Sequence, residues 1–155
     1  MIRLVVVLQV ALLAASPSSA QNRLAGRWQG IYYCAQGLTG VTLTIRGNDQ
    51  RAEALFHFYP VPQNPDVPVG CYTMMGFVDP ATETVHLDSD DKTDWILRPT
   101  NYITVNFRGR FSQGRQRITG RVEGPGCSTF TLHRVEEAPP APRECFLELP
   151  TVSLP

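Results

Sequence analysis

Alternation with a period of two residues is the feature that most constrains this chain. Val41, Leu43 and Ile45 interleave with Thr42, Thr44 and Arg46. Ile103, Val105, Phe107 and Phe111 share one parity, and Tyr102, Thr104, Asn106, Arg108 and Arg110 take the other. Successive side chains of a strand point to opposite faces, so this pattern describes ribbons with one buried and one wetted face. After residue 20 no segment of useful length carries the 3.6-residue apolar period of a helix. Further strands are expected over residues 28–34, 52–59, 71–78, 84–87, 95–98, 116–122 and 129–135. Turn-forming residues separate them: Gly37, Gly47-Asn48-Asp49, Asp79-Pro80, Pro99-Thr100-Asn101, Gly114 and Gly124-Pro125-Gly126. Eight or nine short strands joined mostly by hairpin-length connections predict an all-β fold. The expected form is a small antiparallel meander β-barrel of about eight strands, because closure removes the open edges that invite aggregation.

The two ends of the chain set its surroundings. One arginine, Arg3, precedes a run from Leu4 to Ala15 that is apolar apart from Gln9, and Ser18-Ser19-Ala20 follows with small residues. This pattern reads as a secretory signal peptide over residues 1–20, its apolar core well short of the roughly 20 residues that span a bilayer. The reading predicts a periplasmic or secreted protein with no membrane span. In that compartment Cys34, Cys71, Cys127 and Cys145 are expected as two disulfides. Three pairings exist, and Cys34–Cys127 is preferred because closing a barrel brings its first and last strands together. Cys71–Cys145 then ties the tail to the body. The domain is placed at residues 21–135, with a proline-rich tail over 136–155 that starts Glu136-Glu137-Ala138-Pro139-Pro140-Ala141-Pro142. The patch Cys145-Phe146-Leu147 suggests that this tail docks on the barrel.

Charge selects no partner by itself, since 14 Lys and Arg balance 14 Asp and Glu. The signs are nonetheless segregated. Residues 79–94 are acidic, and residues 98–134 hold Arg98, Arg108, Arg110, Arg115, Arg117, Arg121 and Arg134 against Glu123. With no alternating aromatic platform, the arginines are expected to form a salt-bridged outer surface, and no nucleic-acid partner is assigned. The run from Asp88 to Asp94 has Lys92 and Thr93 where a calcium loop wants an oxygen ligand and a glycine, so a solvated loop is expected and no metal is assigned. No nucleophile elbow, zinc-protease helix motif or phosphate loop is present. His57, His86 and His133 fall on separate strands and are expected to face outward. The chain is therefore read as non-enzymatic, without a cofactor.

Gly26-Arg27-Trp28 opens the first strand and Arg134 ends the last. This arrangement is similar to the lipocalin and avidin superfamily of small barrels, the calycin type. There a G-x-W tryptophan closes one end and a basic residue from the final strand packs on it. The resemblance implies a cation–π stack between Trp28 and Arg134. The segment from Gly30 to Gly37 also resembles modules of exported bacterial proteins, and small periplasmic protease and lysozyme inhibitors share the size and style.

Two functions are expected on this basis. Trp28, Tyr32, Phe56, Phe58, Tyr72 and Phe107 fall on the inward parities, which suggests a binding barrel for a small apolar or aromatic ligand. The alternative is a protein-binding module, such as an inhibitor or accessory domain of an extracytoplasmic hydrolase. Its contact would be the stiff loop carrying Pro60, Pro62, Pro65 and Pro68, or the Cys145 tail.

Overall fold

Nine strands follow the alternation almost residue for residue in the computed structural model, which describes residues 22–146. They are β1 (Gly26–Cys34), β2 (Gly37–Gly47), β3 (Ala52–Tyr59), β4 (Gly70–Asp79), β5 (Thr84–Asp88), β6 (Trp95–Leu97), β7 (Asn106–Ser112), β8 (Arg117–Glu123) and β9 (Thr129–Val135). Every pairing is antiparallel, and all join sequence neighbours except β4 with β6, β5 with β7, and β9 with β1. The last pairing closes an eight-stranded barrel. Short β6 lies outside the meander and continues the β5 edge of β4, with a bulge at Cys71 and Tyr72. The segment over 101–105 is not a strand, so β7 starts at Asn106 and Ile103 is 47% exposed.

Register fixes what fills the barrel. Residues directly opposite one another share a face, and one inner row reads Trp28, Leu43, Phe56 and Tyr72 across β1 to β4. Another reads Gly76, Leu87, Phe107 and Val122 across β4, β5, β7 and β8. The interior is occupied by ring contacts: Phe56 stacks on Tyr72 at 4.5 Å, Phe107 meets Phe56 edge-on at 5.4 Å, and Phe107 stacks on Phe130 at 4.2 Å. Gly109 makes room for the last pair, because a Cβ there would lie 2.6 Å from the Phe130 ring. An eight-stranded barrel is just wide enough for its own side chains, and this one uses that width.

One end is shut by the segment before β1. Leu24 is fully buried, its N–H donates to the Asp49 carboxylate at 2.9 Å, and its carbonyl accepts from Trp28 Nε1 at 2.9 Å. Arg134 falls on the inward parity of β9, and its Cζ sits 4.2 Å from the centre of the Trp28 ring. Its two terminal nitrogens donate to the carbonyls of Ala25 (2.8 Å) and Arg23 (2.5 Å). Arg23 in turn pairs with Asp49 at 2.6 Å and with Glu83. The Trp28–Arg134 stack is thus present, and it does more than cap the ring: it ties down the residues that plug the barrel.

Both expected disulfides are formed, Cys34–Cys127 and Cys71–Cys145. Cys34–Cys127 binds the far end of β1 to the β8–β9 turn. Cys71 faces outward from β4, so Cys71–Cys145 holds the tail on the outside wall through a 3-10 turn at Arg143–Cys145. The tail leaves β9 at the shut end, where Arg27 donates to the Glu136 carbonyl, and reaches β4 near the other end. Phe146 is 61% exposed and Leu147 lies outside the described residues, as does the whole of 1–20. His57, expected outward and wetted, is outward but only 4% exposed. It sits between Thr42 and Cys71 in register, beside the Tyr59 ring at 5.1 Å, and its Nδ1 has no partner among the described residues.

Two outcomes are expected. Replacing Arg134 with methionine removes the stack and both carbonyl contacts, and should lower stability by about 3 kcal/mol in urea unfolding. A loss under about 1 kcal/mol would show that the plug holds without it. Burial depresses the His57 pKa below its ordinary value, so the folded state keeps it neutral while the unfolded chain protonates. Stability carried by this group is full above the unfolded value of about 6.5 and is lost as pH falls toward the folded one. Stability measured between pH 7.5 and pH 5.5 should therefore decline, and His57→Asn should flatten that slope.

Candidate functional site

The end opposite the plug is open. Four connections meet there: residues 35–36, 60–69, 89–105 and 124–128. Three of them, 35–36, 89–105 and 124–128, border a cavity of about 260 Å³ whose walls include Tyr32, Phe58, Tyr72, Tyr102, Ile103, Val105 and the Cys34–Cys127 disulfide. Gln36 and Asn101 supply its amides. Three of the six inward aromatics named from the sequence, Tyr32, Phe58 and Tyr72, line this mouth. The other three do not reach it: Phe56 and Phe107 are buried in the ring stack below, and Trp28 lies at the shut end.

The mouth is built on the upper rings of the core. Phe58 stacks flat against Tyr102 at 5.5 Å and meets Trp95 edge-on at 6.3 Å, while Trp95 meets Tyr72 at 5.0 Å. The Tyr72 hydroxyl is used within the fold, donating to the Val105 carbonyl and accepting from the Val105 N–H, both at 3.3 Å. Burial raises its pKa, as it does that of Tyr32, so both phenols stay protonated at neutral pH. The Tyr32 oxygen accepts from Gln36 Nε2 at 3.1 Å, and the same amide donates to Thr39 Oγ1 at 3.2 Å.

Tyr102 arrives by a route the alternation does not encode. Asn101 has a φ of 66°, a left-handed conformation that asparagine tolerates, and this turn folds the chain back over Phe58. The acidic run serves as the anchor of this lip. Asp91 accepts from Trp95 Nε1 at 3.0 Å and from the Thr104 N–H at 2.8 Å, and pairs with Arg98 at 3.1 Å. The indole contact first, and the Thr104 contact next, hold its carboxyl below the usual range. Arg98 lies over Trp95 at 5.4 Å and donates to the Tyr102 carbonyl. On the outer wall Arg108 pairs with Asp88 and Glu123.

The proline loop lies behind the β1–β2 turn, outside the cavity wall. Asn64 donates to the carbonyls of Gln36 (2.7 Å) and Leu38 (3.0 Å), and Val67 is buried in the core. Pro60, Pro62 and Pro65 are exposed and Pro68 is half-buried. The loop is stiff because both of its halves are fastened, a property its prolines signalled only in part.

Asp91→Ala should speed hydrogen exchange at the Thr104 amide at least tenfold, since its acceptor is lost, with global stability changing by about 1–2 kcal/mol. Asp91→Asn, which keeps one acceptor, should fall between. Unchanged exchange in the alanine variant would remove Asp91 as the anchor.

No protein-family model matches this chain, and the searches of curated proteins and of solved structures likewise found no match to it.

Proposed function

We propose that this chain is an exported, non-enzymatic barrel that takes one small apolar or aromatic ligand in its open mouth. The observation that carries the reading is the mouth itself: a cavity of about 260 Å³ walled by stacked rings at the end of an otherwise filled barrel. Small-molecule sites are concave and mainly apolar, with few polar groups, and this one has that character. An engineered apolar cavity of roughly 150 Å³ accepts benzene, so the mouth has room for one or two fused rings. Two disulfides are compatible with an oxidising compartment outside the cytoplasm, and the signal-like residues 1–20 agree with export. The G-x-W resemblance points to the same class of small ligand barrels.

Native mass spectrometry of protein purified gently from its own source tests the reading. A retained added mass of one- or two-ring size is expected, absent from an Ile103→Trp variant in which the rim side chain fills the mouth. An added mass that survives Ile103→Trp would place the ligand elsewhere.

A second reading has one specific observation in its favour. The exposed prolines at 60, 62 and 65 sit on a loop fastened through Asn64 and Val67, so little freedom remains to be lost on docking to a protein. An inhibitor or accessory module of an extracytoplasmic hydrolase would use such a loop. Replacing residues 60–66 with Gly-Ser should then abolish partner capture while leaving the mouth intact. Capture that persisted would exclude the loop.

A further inference from the structure

Resting on the reading of the mouth as a small-ligand site, we infer that its ligand is an uncharged aromatic compound bearing a carbonyl-type oxygen, which the Tyr32 hydroxyl receives as donor. The first support is the absence of charge. None of the residues lining the mouth is ionic, and the ion pair of the lip, Arg98 with Asp91, is already matched. An ion entering an apolar site without a partner loses several kcal/mol of hydration, so either sign of charge is selected against.

The second support is an unused donor. Tyr32 is 3% exposed, and its hydroxyl oxygen accepts from Gln36 Nε2. Thr39 Oγ1 lies beside it but already accepts from Gln36 Nε2 and donates to the Gly37 carbonyl, and among the described residues no acceptor takes the Tyr32 proton at full hydrogen-bond distance. Tyr72 differs, since its hydroxyl both donates and accepts through Val105. A buried hydroxyl with an idle proton gains a hydrogen bond from any acceptor delivered to it. The Gln36 amide oxygen also has no donor among the described residues, which places an acceptor beside that donor. A ligand amide complements the pair on both counts. The flat stack of Tyr102 on Phe58 supplies a planar wall for its ring.

Four naphthalenes of nearly equal shape separate the terms: 2-naphthamide, 2-naphthoate, 2-naphthylmethylammonium and 2-methylnaphthalene. Dissociation constants would be read at neutral pH from shifts of the Ile103 methyl signals. The amide should bind tightest, by at least about tenfold over either ion. In Tyr32→Phe the amide should lose about fivefold while 2-methylnaphthalene is unchanged. The ratio of those two constants within one protein does not depend on how stable the variant is. If 2-naphthoate or the ammonium binds as well as the amide, or Tyr32→Phe leaves the ratio unaltered, the inference is overturned and the ligand-barrel reading survives. If none of the four shifts the Ile103 signals, both fall.

Discussion

Closure between β1 and β9 is the constraint on which everything else in this molecule rests. Once Trp28 lies opposite Arg134 and Tyr32 opposite Phe130, every strand has an inside and an outside and no ladder in the ring is left open. Stacked rings fill the middle of this bore, so inside the barrel room is left only at an end. The two ends are then free to differ. One receives Leu24, Trp28 and Arg134 and becomes a plug; the other receives loops and stays open.

The plug illustrates how a charge can be kept inside a small barrel. Arg134 is partly desolvated, which lowers its pKa, yet its guanidinium meets the face of a tryptophan and two backbone carbonyls. Those carbonyls belong to a stretch with no strand partner of its own. The arginine therefore supplies donors to two carbonyls of half-buried residues, and in doing so holds the backbone on both sides of Leu24, the stopper.

Strand positions, barrel closure and both cysteine pairings were legible in the chain, because period-two alternation and turn residues report local geometry directly. Depth along the barrel was not. Trp28, Phe56 and Phe58 share an inward parity, but only strand register and shear decide that Phe58 reaches the mouth while Trp28 lies at the opposite end. Tyr102 and Ile103 continued the alternation of β7 on paper. The left-handed turn at Asn101 and the anchoring of Thr104 by Asp91 pulled them out of the strand and into the lip. Thr42 and His57 were read correctly as outward, yet they are buried, since Tyr59 packs beside them and Cys145 is fastened next to them. Alternation describes faces of a sheet and carries no information about what later crosses those faces.

The two disulfides interleave along the chain: Cys71 lies between Cys34 and Cys127, and Cys127 lies between Cys71 and Cys145. Any single backbone cut between residues 34 and 145 thus leaves two fragments still joined by at least one covalent bridge. That span covers the exposed proline loop, the lip and the tail, the places a protease outside the cell would reach first. A nick at any of them leaves the strands tethered at short range, so the barrel can re-form its ladder instead of dispersing. The interleaved cross-links thus guard the ring against backbone cleavage as well as against unfolding.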